Sequence, residues 1–292
     1  EAAVKGMIDE FVDDYSEFLD TEETEDLNTT LENQYIGIGC SIIEEDGKIL
    51  IYEVYEDSPA NGYLKPNDQL IKIDDQSIEG KDLNTISLLM SGKENTNVKI
   101  TVKRDKEEKT YTFKRTKVEN KTINSKIEKN IGIIRMDTFT ENTTQQFKDE
   151  LETLEKKNIK GLVLDLRDNI GGYISSAGDI ASIFLKKGQV LYQLEKKGLK
   201  SNVKDTTSEH KDIKVVVLVN KNTASSAEVL TSALKEQYGA IVVGEKTYGK
   251  GSVQKVYTLS NGSSYKYTIE KWNTSKGKTV DKVGITPDIK IN

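Results

Sequence analysis

Four short, mostly apolar runs constrain the fold of the second half of this chain more than any other feature. The runs are 131–136, 161–166, 215–219 and 241–243. Nearly continuous apolar strands are typical of parallel sheets that helices cover on both faces. Helical patterns lie between the runs, over Thr140–Lys156 and Ala177–Leu185. Alternating strands and helices indicate an α/β domain, which we expect to span residues 118–292.

Two of these runs lead into residues that suit acyl transfer. A small, hydroxyl-rich turn (Thr223, Ala224, Ser225 and Ser226) follows 215–219 and opens a helical pattern. A serine at a strand-to-helix turn exposes its hydroxyl near helix N–H donors, as an acyl-transfer nucleophile requires. Lys250 lies between two glycines after 241–243. If its pocket is dry, the pKa of the amine falls and the neutral amine can deprotonate the serine. The pattern predicts a Ser–Lys peptidase.

The counts of histidine and cysteine narrow the choice of catalytic base. The 292 residues include one of each, His210 and Cys40. His210 lies in a polar run without apolar periodicity, so we expect it to be solvated. Zinc sites built from several Cys and His ligands are excluded by number, and the sequence predicts neither a metal nor a cofactor. The expected base is therefore a lysine or a carboxylate rather than an imidazole.

Charge and hydropathy exclude two further classes of protein. The net charge of −6 argues against nucleic-acid binding, which needs concentrated positive charge. No apolar run approaches the roughly 18–20 residues of a membrane span. No signal peptide is present, and the sequence begins inside a helical pattern. We expect any targeting segment to lie outside this sequence.

Residues 1–34 form an N-terminal segment with an amphipathic helical pattern. After Leu19 this segment becomes acidic and resembles a loop. The apolar positions recur at spacings of three and four; they are Val4, Met7, Ile8, Phe11, Tyr15 and Phe18. The stripe fits a helix that makes a homodimer or docks a partner, and it fits equally a helix packed on the main body. The sequence leaves both interpretations open.

Residues 35–117 change to short β patterns and resemble a PDZ domain. Asp46-Gly47 between apolar runs predicts a hairpin, and a helix is expected over Leu83–Met90. The order of elements around SPANGYLKPNDQLIKIDDQSIEG carries the resemblance. PDZ domains bind peptide C-termini by strand addition, with backbone amides holding the carboxylate. The resemblance places that loop at Tyr35, Ile36, Gly37, Ile38 and Gly39; the alternative is a plain edge strand containing glycine.

A pair of glycines, Gly171-Gly172, follows the strand 161–166. Glycines at the carboxyl end of a buried strand leave backbone N–H groups open to a ligand, as an oxyanion hole requires. The alternative is a helix entry that needs positive φ for packing alone. The glycine pair indicates an oxyanion hole only when it is considered together with the serine and lysine segments.

The order of motifs resembles the C-terminal processing peptidases, also called tail-specific proteases. The motifs are a PDZ-like region, LDLRDNIGG, NTASSAE, GEKTYGKGSVQ and GITPD, and they cover essentially the whole chain. The resemblance implies Ser225 as nucleophile, Lys250 as general base and Gln254 as the group that orients the lysine. It also implies an oxyanion hole from the N–H of Ser226 and of Gly171 or Gly172.

The resemblance further implies a fold and a setting. The fold is an α/β, ClpP/crotonase-like protease core with an inserted, mainly β PDZ domain after the N-terminal helical segment. The substrates are proteins or peptides with free C-termini. The location is extracytoplasmic, with membrane attachment only through an anchor outside this sequence.

Departures from the family pattern keep alternatives open. The motif is TASSAE, so Ser226 stands where alanine is common and is the second candidate for the nucleophile. Two other functions compete with the peptidase: a non-catalytic PDZ scaffold on a protease-like core, and a crotonase-like binder of an apolar ligand.

Overall fold

The computed structural model describes residues 5–7, 10, 13, 15–32, 34–208 and 210–291. The chain divides into two compact units, of which Asn33–Asn120 is one. The other combines Glu1–Glu32 with Lys121–Asn292. The N-terminal segment thus shares a unit with the C-terminal region, whereas the sequence predicted a separate segment over 1–34.

Strands outnumber helices on both sides of residue 120 in the described part of the chain. In chain order, the elements up to residue 120 are β1 (Glu17–Leu19), α1 (Thr21–Glu32), β2 (Gln34–Gly37), β3 (Cys40–Glu45), β4 (Lys48–Val54), β5 (Gln69–Ile73), β6 (Gln76–Ser77), α2 (Leu83–Met90), β7 (Asn97–Arg104), β8 (Glu107–Lys114) and β9 (Thr116–Glu119). Beyond it they are β10 (Ile123–Glu128), β11 (Ile131–Met136), α3 (Thr143–Lys156), β12 (Gly161–Asp165), α4 (Ile174–Ser182), β13 (Val190–Lys196), β14 (Leu199–Lys204), β15 (Val215–Val219), α5 (Ser226–Ala233) with a π-helical turn (Leu234–Tyr238), β16 (Ile241–Gly244), β17 (Ser252–Thr258), β18 (Ser264–Asn273) and β19 (Ile289–Lys290).

The main sheet of the larger unit has the order β10-β11-β12-β15-β16-β19. The five strands from β11 to β19 run parallel, and β10 pairs antiparallel with β11. The predicted α/β architecture is confirmed, and β11 and β15 have the predicted bounds. Parallel neighbours end at the same edge of a sheet, so the loops after β12, β15 and β16 lie side by side.

Helices α3, α4 and α5 bury apolar side chains in the same core as the strands. Phe147 on α3 and Leu230 on α5 are fully buried, together with Val217 on β15. The ring of Phe147 meets Phe184 edge to face at 6.0 Å. Burying a side chain of that size stabilises the fold by about 1.5–3 kcal/mol, so this packing fixes the helices on the sheet.

A second sheet of the larger unit was largely missed from the sequence. It has the order β1-β18-β13-β14, and β17 also pairs with β18. Part of the polar stretch 196–212 forms β14 in a hairpin with β13. Because β14 is largely solvent-exposed, its residues carry little apolar signal.

The prediction for the N-terminal region was wrong in part. Glu17–Leu19 is a strand paired with β18, and the stretch after it is a helix rather than a loop. Asp20 and Glu23 form a capping box: the Glu23 amide donates to Asp20 Oδ1 at 2.9 Å, and the Asp20 amide donates to Glu23 Oε2 at 3.0 Å. Phe18 is buried on β1 rather than on a helix. Val4, Ile8 and Phe11 of the predicted apolar stripe lie outside the described residues, and a homodimer through this helix stays a prediction.

The smaller unit has the predicted β-rich arrangement around one helix. Its sheet has the order β3-β4-β5-β7-β8, with β6 on β5, and β2 pairs separately with β9. The hairpin between β3 and β4 turns at Asp46 and Gly47, both at positive φ (50° and 69°). Both central residues at positive φ make a type I′ turn, which matches the twist of the strands it joins.

No described helix is both long enough and apolar enough to cross a membrane.

Candidate active site

Three loops at the carboxyl edge of the main sheet carry the predicted catalytic residues. The glycine loop with Gly171 and Gly172 follows β12, the turn with Ser225 follows β15, and the turn with Lys250 follows β16. These three strands are neighbours in the sheet. The fold therefore brings the three predicted segments together.

Ser225 precedes α5 in a conformation that few residues adopt. Its φ is 54° and its ψ is −122°, and its side chain is half-buried. Such backbone strain costs on the order of 1–3 kcal/mol and clusters at functional sites. Ser226 differs: it is buried, and its hydroxyl donates to the Gly172 carbonyl at 2.7 Å. The geometry favours Ser225 over Ser226 as the nucleophile.

The glycine loop touches the serine turn directly. A Cβ at Gly171 would lie 2.7 Å from Cβ of Ser225, and one at Gly172 would lie 2.0 Å from the Phe139 carbonyl oxygen. Both residues have positive φ, so only glycine fits these positions without strain. The Gly171 amide donates to Asn169 Oδ1 at 2.9 Å. Among the described residues no hydrogen bond uses the Gly172 amide, which leaves it the better placed of the two as an oxyanion donor.

Asn169 joins the glycine loop to the serine turn, a role that the sequence analysis missed. Its side chain is fully buried, and its Nδ2 donates to the Met136 carbonyl at 2.8 Å. Its own carbonyl accepts from the Ala224 amide at 2.9 Å. Together with the bond from Gly171, these contacts fix the loop against the residue that precedes Ser225.

The lysine turn depends on its two glycines, as the sequence predicted. A Cβ at Gly249 would lie 2.8 Å from the Gly284 amide nitrogen, and one at Gly251 would lie 2.5 Å from Cβ of Asp281. The buried Trp272 also donates a hydrogen bond from Nε1 to the Lys250 carbonyl at 2.8 Å. This hydrogen bond fixes the backbone carbonyl group of Lys250.

Glu228 connects the serine and lysine turns through its buried carboxylate. Oε2 accepts from the amides of Ser225 and Lys250, each at 2.9 Å. Oε1 accepts from the Gly249 amide at 2.8 Å and from the Thr247 hydroxyl. Burial raises the pKa of Glu228, and these four donors oppose the rise. Because the Ser225 and Lys250 amides bind the same oxygen, the distance between their nitrogens cannot exceed the summed lengths of these two hydrogen bonds.

The pKa of Lys250 is lowered, first by burial and then by the nearby charge of Lys266. Glu17 acts in the opposite direction. Nζ lies 4.8 Å from the centre of the Tyr15 ring. Among the described residues no hydrogen bond joins Nζ to the Ser225 hydroxyl. In this structure the predicted base thus faces the aromatic ring.

Among the described residues no hydrogen bond joins Gln254 to Lys250. Its Nε2 donates to Thr268 Oγ1 at 3.3 Å, across the pairing of β17 with β18. The register of that pair shifts between Val253 and Gln254, which changes the direction of the side chain. The role of Gln254 in orienting the lysine stays a prediction.

The remaining candidates for catalysis are accounted for elsewhere. His210 is exposed in the larger unit, as expected. Cys40 is buried in the smaller unit, and burial raises the pKa of its thiol to about 12. Arg167 pairs with Asp165 at 2.6 Å. No group of three or more His, Cys, Asp or Glu side chains in the described ranges could hold a metal ion.

Comparison with family models decides where this chain belongs. The model of peptidase family S41 matches residues 130–291, and a PDZ domain model matches residues 36–114. The chain belongs to peptidase family S41. The S41 match contains the glycine loop, the serine turn and the lysine turn.

Curated relatives of this S41 chain include staphylococcal proteins named probable CtpA-like serine proteases. The protein from Staphylococcus haemolyticus (strain JCSC1435) is 39% identical over 295 residues, and that from Staphylococcus aureus (strain N315) is 37% identical over the same length. Each match covers 100% of this chain and 60% of the relative. The chain therefore spans about three fifths of the length of these relatives.

Solved structures support the same assignment. The photosystem II D1 C-terminal processing protease matches with a TM-score of 0.61 at 25% identity, over 100% of this chain and 81% of that one. A putative S41 protease from Bacteroides fragilis NCTC 9343 matches with a TM-score of 0.55 at 15% identity, over 100% and 82%. The second likeness concerns the fold alone.

Proposed function

We propose that this chain is the PDZ and catalytic part of a serine endopeptidase of the C-terminal processing type. Its ClpP/crotonase-like core cleaves proteins or peptides whose free C-terminal tails bind to the PDZ unit. The observation that carries the proposal is the Glu228 carboxylate, which binds the backbone amides of Ser225 and Lys250 through one oxygen. That contact places a strained serine and a lysine of lowered pKa at one site.

The chemistry follows from these groups. Ser225 Oγ attacks the carbonyl carbon of the scissile peptide, and its proton passes to the neutral Nζ of Lys250. When the C–N bond breaks, the ammonium gives that proton to the leaving amine. Water then attacks the acyl carbonyl carbon and loses a proton to Nζ. The bond from that carbon to Ser225 Oγ breaks, and the ammonium returns the proton to Oγ.

Backbone amides hold the oxyanion in both steps. The N–H of Ser226 begins α5 beside Gly171, and the N–H of Gly172 has no partner among the described residues. Removing one such donor costs about 3–4 kcal/mol in other hydrolases. Gln254 would join the site by turning from Thr268 toward Lys250.

The similar proteins support the setting of the reaction. They include proteins named CtpA-like serine proteases and a protease named for C-terminal processing of the D1 protein. On that likeness we propose peptide substrates with free C-termini and an extracytoplasmic location. An association of two chains through the N-terminal segment belongs to the same proposal.

The experiment is cleavage of a tail peptide, with products identified by mass spectrometry. Ser225→Ala and Lys250→Ala should each abolish cleavage while circular dichroism shows a folded protein. Lys246→Ala is the matched control, since Lys246 is exposed in the same turn. Ser226→Ala separates the two serines: it should lower the rate without abolishing it. Binding of the tail without cleavage by the unmodified protein would instead favour a PDZ scaffold.

A further inference from the structure

The outer edge of the PDZ sheet is where an added peptide strand would pair. β3 is the terminal strand in the order β3-β4-β5-β7-β8. An edge strand presents amides and carbonyls to a further strand. Beside it lies a cavity of about 280 Å³ in the same unit, lined by Tyr35, Ile38, Ser87, Met90, Ser91 and Asn120.

The loop that leads into β3 turns its carbonyls into the domain. The Ile38 carbonyl accepts from the Ala60 amide at 3.0 Å. The Gly39 carbonyl accepts from the Tyr55 amide and from the Ser58 hydroxyl, each at 3.0 Å. A carboxylate is a hydrogen-bond acceptor, so this loop can receive it only on its amides.

Those amides already have a polar neighbour in the same unit. The Tyr35 hydroxyl lies near the backbone amides of Gly39 and Cys40, and both amides oppose the rise that burial causes in its pKa. The Tyr35 ring reaches them by lying across Gly37, where a Cβ would be only 2.5 Å from Cε2 of the ring. The absence of a side chain at Gly37 is therefore what allows the ring to lie there.

Two successive amides that converge on one oxygen form the kind of backbone nest that binds anions. The phenol is a neutral occupant, because burial raises the pKa of Tyr35 and keeps the hydroxyl protonated. Hydrogen bonds to an ionised acceptor are roughly twice as strong as those to a neutral one. A carboxylate can therefore displace the phenol, whereas a neutral chain end gains little by doing so.

We propose that the Tyr35 hydroxyl occupies the carboxylate position of the PDZ groove, so that a substrate tail binds by displacing it. The inference rests on the proposed function, since it assumes that this groove receives free C-termini. Tyr35 then acts as a built-in competitor that weakens the binding of every tail whose carboxylate enters the nest.

The test uses the whole chain with Ser225→Ala, so that peptides bind without being cleaved. Two fluorescent peptides of one sequence, ending in an apolar residue, carry either a free carboxylate or a C-terminal amide. Their Kd values are measured by anisotropy for this protein and for the same protein with Tyr35→Phe. Phe keeps the ring on Gly37 and removes only the competing oxygen.

The free-acid peptide should bind about three- to tenfold more tightly to the Tyr35→Phe protein, because a neutral hydroxyl no longer competes for the amides. The amidated peptide should change by less than about twofold, since a neutral end need not enter the nest. Tyr52→Phe is the matched control and should change neither Kd, because Tyr52 is 62% exposed on β4. Tyr35→Leu, which also lacks the oxygen, replaces Tyr35→Phe if the latter fails to fold.

Three results would overturn the inference. If the unmodified protein binds the free acid and Tyr35→Phe leaves that Kd unchanged or weaker, the hydroxyl is not a competitor and tail binding itself stands. Equal tightening of both peptides would mean that the oxygen blocks the groove without occupying the carboxylate position. If no protein binds either peptide, tail recognition fails, and this inference fails with it.

Discussion

Replacing Glu228 by glutamine tests whether one carboxylate organises the catalytic turns. Glutamine has the same shape as glutamate, but an NH₂ group takes the place of one oxygen. In either orientation of the amide, two of the four donors around Glu228 face a donor instead of an acceptor. The affected pair is Thr247 with Gly249, or Ser225 with Lys250.

The size of the effect follows from burial. Glu228 is fully buried, so water does not replace the lost acceptor. Each buried donor without an acceptor costs about 1–3 kcal/mol, so the two together cost about 2–6 kcal/mol. For a domain of this size the cost corresponds to a fall in Tm of roughly 5–20 °C. A shift of about 1 Å between the turns would lower kcat about 100-fold.

The assay measures kcat and KM for a tail peptide at a temperature where circular dichroism shows both proteins folded. Glu228→Gln should lower kcat about 100-fold and change KM little, because Glu228 faces the two turns and not the PDZ groove. Glu236→Gln is the matched control. Its carboxylate also accepts two hydrogen bonds, from the Ser275 hydroxyl and the Lys276 amide, but these lie outside the catalytic turns. It should retain nearly all of kcat.

A wild-type kcat for the folded Glu228→Gln protein would refute the reasoning. So would an equal loss of kcat in Glu228→Gln and Glu236→Gln, since that would point to general destabilisation.

Two further predictions concern Lys250. Because burial and Lys266 lower the pKa of Lys250, kcat/KM should rise with pH to a midpoint below the usual lysine value of about 10.4. Lys266→Met removes a repelling charge and should move that midpoint to higher pH. An unmoved midpoint in the pH profile would count against Lys250 as the general base. Trp272→Phe keeps a buried ring but loses the bond from Nε1 to the Lys250 carbonyl, which contributes about 0.5–1.5 kcal/mol. It should lower kcat/KM by up to about tenfold in the peptide assay, and an unchanged kcat/KM would show that this bond does not position the lysine.

The sequence predicts elements best where a single local pattern decides the structure. β11, β15 and α2 have the predicted bounds, because apolar runs mark them directly. β18 is different: its ten residues alternate charged, polar and aromatic side chains. Its place between β1 and β13 comes from partners far along the chain. Long-range pairing of that kind leaves little trace in a local pattern.

The candidate site divides in the same way. Ser225, Lys250 and the neighbouring glycines could be identified from the sequence. The chemistry requires the two side chains, and the backbone conformation requires the glycines. The contacts of Asn169 with Met136, of Glu228 with Lys250 and of Trp272 with Lys250 could not be predicted, because each joins two segments that approach only in the folded chain. The position of Glu228 between both catalytic turns could not be derived from spacing in the sequence.

The contact between Lys250 and Tyr15 bears on how the base reaches the serine. Glu228 Oε2 holds the backbone amides of Ser225 and Lys250 close together. Nζ of Lys250 can therefore approach the Ser225 hydroxyl by movement of the lysine side chain alone. Rotation about its side-chain bonds is faster by orders of magnitude than a loop movement. The ring of Tyr15 attracts the ammonium but has little hold on the neutral amine. Loss of the proton from Nζ thus both creates the base and weakens the contact that keeps it on the ring.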